Sequence, residues 1–255
     1  MSREILQVSG LSMRFGGLLA VNGVALTVKE KQVVALIGPN GAGKTTVFNC
    51  LTGFYKPSGG TILLDGQPIQ GLAGHEIARK GVVRTFQNVR LFKEMTALEN
   101  LLIAQHRHLN TNFFAGLLKT PSFRRSEHEA KEYARYWLEK VNLFEFANRP
   151  AGTLAYGQQR RLEIARCMMT RPRIIMLDEP AAGLNPKETE DLKALISLLR
   201  EEHNVTVLLI EHDMKLVMSI SDHIVVINQG TPLADGTPDQ IRDNPDVIKA
   251  YLGEA

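Results

Sequence analysis

Two adjoining stretches decide the fold: Val33-Val-Ala-Leu-Ile37 is followed directly by Gly38-Pro-Asn-Gly-Ala-Gly-Lys-Thr45. The first stretch is continuously apolar, as in strands that are buried on both faces of a parallel sheet. The second matches GxxxxGK[ST], the Walker A motif or P-loop, in which backbone N–H groups surround phosphate oxygens at the start of a helix. A helix is predicted from about Lys44 to Leu51. Together they predict a nucleoside triphosphate site on an α/β fold.

The side chains of this loop have separate expected tasks. Lys44 is placed to reach the β- and γ-phosphates, and the Thr45 hydroxyl is placed to bind Mg²⁺. The residues expected to contact the nucleotide here are Gly38, Pro39, Asn40, Gly41, Ala42, Gly43, Lys44, Thr45 and Thr46.

A second apolar run, Ile174 to Leu177, ends in Asp178-Glu179-Pro180. Carboxylates at the end of such a strand lie at the edge of the sheet where open α/β folds bind ligands. We therefore expect Asp178 to serve Mg²⁺ and Glu179 to act as the general base, orienting water against the γ-phosphate.

The arrangement of the remaining segments predicts two kinds of structure. Strands and helices alternate after residue 156, which favours a largely parallel sheet flanked by helices. Before the Walker A motif, short strands are predicted at Ile5 to Val8 and Val24 to Val28, with turns at Gly16-Gly17 and Asn22-Gly23. The middle of the chain, from about Leu98 to Val141, has a helical pattern and is predicted to be an inserted helical lobe.

Composition excludes several classes of protein. The 255 residues carry a net charge of +3, too small to indicate nucleic-acid binding, and the pairs Arg124-Arg125 and Arg160-Arg161 are expected on solvated faces. Cys50 and Cys167 cannot form a disulfide framework and are predicted to be small buried hydrophobic residues. No apolar run approaches the ~20 residues of a membrane-spanning helix, and no signal peptide is visible.

Four further stretches, in this order, make the chain resemble the ATP-binding-cassette (ABC) ATPases. Thr85-Phe86-Gln87 resembles their Q-loop, and Leu154-Ala-Tyr-Gly-Gln158 stands where their signature sequence belongs. Ala182-Gly-Leu-Asn185 stands at the D-loop, and His212 resembles their switch histidine. The resemblance implies one ABC ATPase domain over residues 1–255, with a nucleotide-binding core and antiparallel β subdomain in 1–87 and 151–255 and a helical subdomain in 88–150.

The resemblance also implies roles for individual residues. Gln87 would contact Mg²⁺ and the attacking water, His212 would contact the γ-phosphate, and Phe15 would stack on adenine. Lys44, Gln87, Glu179 and His212 would form the catalytic set, with Thr45, Gln87 and Asp178 at the metal. The signature residues, which would face the ATP bound by the opposite subunit of a dimer, are Ala155, Tyr156, Gly157 and Gln158.

Three residues depart from the usual family pattern. Ala155 and Tyr156 replace a serine and a glycine of the signature, and Asn185 replaces the acid of the D-loop. The missing serine hydroxyl would have donated to a charged phosphate, a bond worth roughly 1.5–3 kcal/mol. We therefore expect weaker or more partner-dependent ATP turnover, and not an inactive ATPase.

Two groups of residues that contain histidine are not expected to bind a metal ion. Glu211, His212 and Asp213 would point in different directions on an extended segment. His106 and His108 are two positions apart on a predicted helix and would not face one ligand.

Several stretches narrow the resemblance to the longer ATPase subunits of bacterial branched-chain amino acid importers. They are MRFGGLLAVNGV, FNCLTGFYKPSGG, GVVRTFQNVRLF, GLLKTPSFRR, LAYGQQRRLEIARCM, LDEPAAGLNPKE and NPDVIKAYLGEA. The resemblance implies a peripheral subunit on the cytoplasmic face of the inner membrane, working with two integral membrane permeases. It also implies a nucleotide-sandwich dimer with a shorter sister ATPase or with a second copy, and an indirect connection to a periplasmic solute-binding protein.

Residues 88–95 are expected to contact a permease, and nucleic acid is not an expected partner. Two alternatives remain open. The first is a related transport ATPase for another cargo, such as urea, another amide or amino acid, or lipopolysaccharide. The second is a soluble ATPase without a transport role.

Overall fold

The computed structural model describes residues 3–105 and 121–252. These fall into two compact units. The first unit comprises Met1–Arg84, Arg173–Ala182 and Thr189–Ala255, and the second comprises Thr85–Pro172 and Gly183–Glu188. His106, His108 and residues 116–120 of the GLLKTPSFRR stretch lie outside the described residues.

The first unit contains a mostly parallel six-stranded sheet with the strand order β10-β9-β3-β8-β7-β6. Only β10 runs antiparallel to its neighbour. Every residue of β3, β7 and β8 is buried, which explains the continuous apolar runs in the sequence. The strands are β3 Val33–Ile37, β6 Val82–Arg84, β7 Ile174–Asp178, β8 Thr206–Ile210, β9 His223–Asn228 and β10 Thr231–Gly236.

The same unit contains an antiparallel four-stranded sheet, ordered β2-β1-β4-β5. Its strands are β1 Glu4–Phe15, β2 Leu18–Lys29, β4 Gly59–Leu64 and β5 Gln67–Pro68. Together the two sheets give the predicted fold class, a mixed α/β fold with a mostly parallel core and an antiparallel β subdomain. Apolar side chains from both sheets and from the helix after the Walker A motif form one core cluster, which includes Leu11, Leu36 and Phe48.

One predicted turn is wrong. Gly16-Gly17 does connect β1 to β2, but Asn22-Gly23 lies inside β2, where Gly23 pairs with Gly10. Gly23 has φ +72° and Gly10 has φ +61°, and the strand register shifts beside them. The two strands are therefore longer than predicted, because facing glycines let them bend without ending.

Helices complete both units. The helix predicted from Lys44 to Leu51 has those bounds, and Thr237 caps a C-terminal helix with Pro238 in its first turn. The helices are α1 Lys44–Leu51, α2 Gly74–Arg79, α3 Ala97–Ala104, α4 Pro121–Lys140, α5 Tyr156–Met168, α6 Pro186–Glu201, α7 Met214–Ile220, α8 Pro238–Arg242 and α9 Pro245–Leu252.

The second unit is helical in its described residues. Trp137 and Leu138 of α4 and Leu101 of α3 are fully buried and provide its apolar interior. Asn100 is also buried and joins α3 to the preceding loop, since its amide donates to the carbonyl oxygens of Phe92 and Thr96 at 3.0 Å. The predicted helical lobe is thus present on both sides of residues 106–120.

Within residues 3–105 and 121–252, no helix combines the length and the apolar character that crossing a membrane requires.

Candidate nucleotide-binding site

The Walker A loop is closely packed against its surroundings. Gly38 has φ +153°, and a Cβ atom there would lie 2.0 Å from the carbonyl oxygen of Ile227. Gly43, which directly precedes α1, has φ +97°, and a Cβ atom there would lie 2.8 Å from the carbonyl oxygen of Ala20. Side chains at these two positions would therefore push the loop away from β9 and β2, and the motif requires glycine for packing as well as for ligand approach.

Lys44 lies at the centre of this loop. Its side-chain Nζ donates to the carbonyl oxygens of Gly38 at 2.7 Å and Pro39 at 2.9 Å, and the residue is 8% exposed. Burial lowers the pKa of Lys44, while Glu179 and Asp178 act in the opposite direction. The loop thus holds one cation close to the two carboxylates at the end of β7.

The carboxylates occupy the predicted edge of the sheet. Asp178 pairs in register with Ile210 of β8, and Glu179 follows with φ +48°. A positive φ is strained for glutamate, and such strain is concentrated at functional sites. Asp178 is buried, whereas the Glu179 side chain is 22% exposed, so the glutamate is the carboxylate that solvent can reach.

His212 lies beside Glu179. Its Nδ1 atom is 4.0 Å from Oε2 of Glu179, and its side chain is 61% exposed. The structure therefore brings Lys44, Asp178, Glu179 and His212 together in the first unit. Thr45 follows Lys44 in the first turn of α1 and is exposed.

Phe15 is exposed at the end of β1, and its ring meets that of Tyr55 edge to face at 5.1 Å between centroids. The two rings are 41% and 37% exposed. Large exposed aromatic rings can stack on a planar base, and Tyr55 is a second such ring beside Phe15.

Gln87 belongs to the second unit, where Arg160 of α5 holds its loop. The Arg160 guanidinium donates to the carbonyl oxygen of Phe86 at 2.7 Å and also to that of Gln87. Glu163 accepts from the Arg160 guanidinium at 3.4 Å and from the Arg90 amide at 3.1 Å. The prediction that Arg160 lies on a solvated face is wrong, because the residue is 2% exposed. Its loop partners lie more than 70 positions away, so no local pattern marks them.

The pairs Arg124-Arg125 and Arg160-Arg161 were predicted to lie on solvated faces, and their other three members agree better with this prediction. Arg124 and Arg125 are exposed, and Arg161 is partly exposed.

The signature residues also lie in the second unit, at the start of α5. Ala155 occupies the N-cap position and provides no side-chain cap. A Cβ atom on Gly157 would lie 2.3 Å from Oε1 of Glu188, and one on Gly183 would lie 3.3 Å from the ring of Tyr156. The tyrosine that replaces a family glycine thus packs beside the D-loop stretch of its own chain.

Asn185 has a clear local task. Its Oδ1 atom accepts from the Glu188 amide at 3.0 Å, and its own amide donates to Oε2 of Glu188 at 3.0 Å. This reciprocal pair stabilises the start of α6, a position at which Asn and Asp are equally good caps. The replacement therefore preserves the capping function while removing a charge.

Several site residues were not predicted from the sequence. Arg84 forms an ion pair with Asp178, and Tyr251 of α9 is hydrogen-bonded to the backbone of Gly38. Glu211 is buried beside His212. The available signals were an arginine at the end of a short strand and a glutamate directly after a fully buried strand, since charged residues are rarely buried without a partner.

Comparison with known proteins agrees with this geometry. The sequence profile described as "ABC transporter" matches residues 21–182. A second profile, described as "Branched-chain amino acid ATP-binding cassette transporter", matches residues 231–255.

Similar proteins extend over the whole chain. The high-affinity branched-chain amino acid transport ATP-binding protein BraF of Pseudomonas aeruginosa is 86% identical over 255 residues, covering 100% of both chains. The corresponding protein LivG of Escherichia coli is 70% identical over 255 residues, again with 100% of both chains covered.

Solved structures show the same fold. A crystal structure of an ATP-binding cassette of an ABC transporter in its ADP conformation superposes with a TM-score of 0.86 and 33% identity, covering 99% of this chain and 100% of that one. A dimeric ATP-binding cassette bound to ADP and Pi superposes with a TM-score of 0.77 and 25% identity, covering 92% and 99%. From the matched profile, the full-length relatives and the geometry of the site, this chain belongs to the ATP-binding proteins of the ABC transporter family.

Proposed function

We propose that this chain is the ATP-binding and ATP-hydrolysing subunit of a transporter for branched-chain amino acids. The observation that carries the proposal is full-length identity of 86% and 70% to two proteins named for that task. The second profile, which covers the C-terminal residues, points to the same transporters. The chain is an ATPase, and the transporter's membrane subunits would select the solute.

The Walker A loop would hold the triphosphate. Lys44 donates to two carbonyl oxygens of its own loop, and we infer that it exchanges these neutral acceptors for β- and γ-phosphate oxygens when ATP binds. The amides of residues 38–46 would complete the cradle at the start of α1. Phe15, with Tyr55 at its edge, would pack on the adenine ring.

Residues that would serve Mg²⁺ are Thr45, Gln87 and Asp178. Their hydroxyl, amide and carboxylate oxygens are the hard ligands that Mg²⁺ prefers. Among the described residues no group of three His, Cys, Asp or Glu side chains is arranged to hold a metal alone. That suits an ion that is bound largely by phosphate oxygens and water. When bound, the ion would neutralise charge that develops on the phosphates.

Glu179 and His212 would carry out the hydrolytic step. Glu179 is partly exposed beside Lys44 and would orient and deprotonate the attacking water. His212, 4.0 Å from Glu179, would contact the γ-phosphate and fix the distance between that group and the base. Gln87 would position the same water from its loop.

The ATPase would act as a dimer of two cassettes. A solved relative is dimeric with ADP and Pi bound. In such a dimer, residues 155–158 of one chain would face the γ-phosphate bound by the other, with backbone N–H groups at the start of α5 available in place of the missing serine. The second chain would be a shorter sister ATPase or another copy.

The complete assembly would contain two integral membrane permeases and would receive its solute from a periplasmic binding protein. This chain would lie on the cytoplasmic face of the inner membrane as a peripheral subunit. Residues 88–95 would contribute to its permease contact. Phe92 in that segment is 51% exposed, as expected of an apolar anchor. We also propose 88–150 as the helical subdomain and 1–87 with 151–255 as the nucleotide-binding core, whereas the second compact unit is larger, since it also includes 85–87, 151–172 and 183–188.

Two variants test the chemistry. Lys44→Ala should abolish nucleotide binding or hydrolysis, and Glu179→Gln should bind ATP without cleaving it. Glu190→Gln, which alters an exposed glutamate on α6, should leave both unchanged and serves as the control. Hydrolysis by Glu179→Gln at the rate of the unaltered chain would reject Glu179 as the base.

The transport assignment requires a test in membranes. Tagged Glu179→Gln chain, recovered with ATP from detergent-solubilised membranes of its source, should bring down two distinct membrane proteins and a second cassette. The same variant should abolish uptake of labelled leucine. A single type of permease or unaffected leucine uptake would indicate another cargo, and recovery of no membrane protein would favour a soluble ATPase.

A further inference from the structure

Glu211 occupies a position that the proposed chemistry does not use. Strands β7 and β8 are parallel, and Asp178 pairs with Ile210, so Glu179 and Glu211 leave the two strands side by side. Their environments differ, because the Glu179 side chain is 22% exposed and the Glu211 side chain is 0% exposed. One glutamate faces solvent and the other is enclosed.

The two carboxylate oxygens of Glu211 bind two different loops. Oε1 accepts from the amide of Ala181 at 2.7 Å, which belongs to the loop that follows Glu179. Oε2 accepts from the amides of His212 at 3.1 Å and Asp213 at 3.5 Å, which lead into α7. A single buried side chain thus connects the segment carrying Glu179 to the segment carrying His212.

The loop after β7 needs such a connection. Glu179 adopts φ +48°, a strained conformation that persists only where surrounding contacts enforce it. Its own amide donates to the Ile210 carbonyl at 3.0 Å, and the Ala182 amide donates to the Glu179 carbonyl at 3.2 Å. Between Glu179 and Ala182, the Ala181 amide donates to the Glu211 side chain, so the loop is also held by a side-chain hydrogen bond.

A contribution to the stability of the fold does not explain why a glutamate is buried at position 211. Burial raises the pKa of its carboxyl, and the hydrogen bonds from Ala181, His212 and Asp213 act in the opposite direction. Loss of hydration therefore has the largest effect on the pKa of Glu211. Burying the charged carboxylate costs folding free energy that burying a neutral residue would not cost.

We propose that Glu211 is a positioning residue that fixes the separation of the Glu179 and His212 side chains by joining their two loops through its buried carboxylate. The inference rests on the proposed roles of Glu179 and His212. It adds a fully buried residue that acts through both loops.

Glu211→Gln is the direct test, because glutamine has the same shape but turns one acceptor into an NH₂ group that must face a backbone N–H. We expect kcat for ATP hydrolysis to fall about 10- to 100-fold, the loss typical of a catalytic group displaced by a fraction of an ångström to 1 Å. ATP affinity should stay within about twofold, because the Walker A loop is untouched. Glu190→Gln is the matched control, and Tm should change little, because removal of the buried charge offsets the lost hydrogen bond.

A double-mutant cycle identifies the route of action. In the Glu179→Asp background, which keeps a carboxylate but already displaces it, Glu211→Gln should cause a much smaller fold loss in hydrolysis than in the unaltered chain. Equal fold losses in both backgrounds would overturn the proposal. So would a lower Tm accompanied by weakened ATP binding, which would indicate a purely structural role.

Amide hydrogen exchange tests the link independently of hydrolysis. Glu211→Gln and the shorter Glu211→Asp should both accelerate exchange in residues 179–182 and 210–213 together. Faster exchange in 210–213 alone would overturn the connection between the loops. If Glu179→Gln itself left hydrolysis unchanged, the proposed base would fail, whereas the exchange result would still decide whether Glu211 joins the two segments.

Discussion

The Nη2 atom of Arg84 lies 2.5 Å from Oδ2 of Asp178, and each side chain is only 5% exposed. The same guanidinium donates to Oδ1 of Asn49 at 2.7 Å and lies 5.4 Å from the ring centre of Phe48. Both of these residues belong to α1. Arg84 therefore joins the helix that follows the Walker A loop to the acid at the end of β7, and it directly precedes the Thr85-Phe86-Gln87 stretch.

Removing Arg84 should destabilise the first unit. Arg84→Met removes the cation that is ion-paired with the buried Asp178 carboxylate, and breaking a comparable buried pair costs about 3–5 kcal/mol. Denaturant unfolding should show this loss, and Asp178→Asn in the same chain should recover part of it. Arg242→Gln breaks an exposed ion pair with Asp239 and should have no measurable effect. Equal stability of Arg84→Met and the unaltered chain would contradict the importance of the buried pair.

Arg160→Met should weaken the loop that carries Gln87. The variant loses the bonds to Phe86 and Gln87. It also removes one of the groups, beside the Arg90 amide and Arg166, that oppose the effect of burial on the pKa of Glu163. That pKa is already raised, so ionised Glu163 costs stability once the pH exceeds its ordinary value. The loss of stability in Arg160→Met should therefore be larger at neutral pH than near pH 5, as followed by thermal unfolding. A pH-independent loss would reject this explanation.

Ala155→Ser should raise basal ATP hydrolysis, because it restores the hydroxyl expected to meet the γ-phosphate of the opposite subunit. Serine should also stabilise α5 by about 1 kcal/mol, since it is a good N-cap and alanine is a poor one. Ala155→Gly separates the two effects, because glycine improves the cap without a hydroxyl. Faster hydrolysis in the serine variant alone would support the hydroxyl, and unchanged hydrolysis in both would exclude it as the limiting group.

Both cysteines should be unreactive in the native protein. Burial raises the pKa of Cys50 to about 11 and that of Cys167 to about 12, and both thiols are buried as predicted. Because the thiolate is the reacting form, a thiol reagent at pH 8 should label the folded chain slowly and label both cysteines quickly in denaturant. Rapid labelling of either cysteine in the folded chain would contradict this burial.

The sequence by itself determined the order of the core elements and which of their ends carry the candidate site residues. Val33–Ile37 and Ile174–Asp178 are strands, and Lys44–Leu51 is a helix with the predicted bounds. These signals are local, since apolar runs, glycines and a helix start lie within a few neighbouring residues. The Asn22-Gly23 turn was predicted from equally local rules and was wrong, because Gly10 across the sheet lets β2 bend and continue.

Only the tertiary structure decided which charged residues are enclosed and what they hold. Arg84 and Asp178 are 94 positions apart, and Glu211 accepts from Ala181 across 30 positions. Arg160, expected on a solvated face, is buried against the loop of Gln87. The sequence around a charged residue looks the same whether its side chain is exposed to solvent or forms an ion pair in the protein interior. Strand register and side-chain packing bring its distant partner within hydrogen-bond reach, and neither is encoded in a short stretch of sequence.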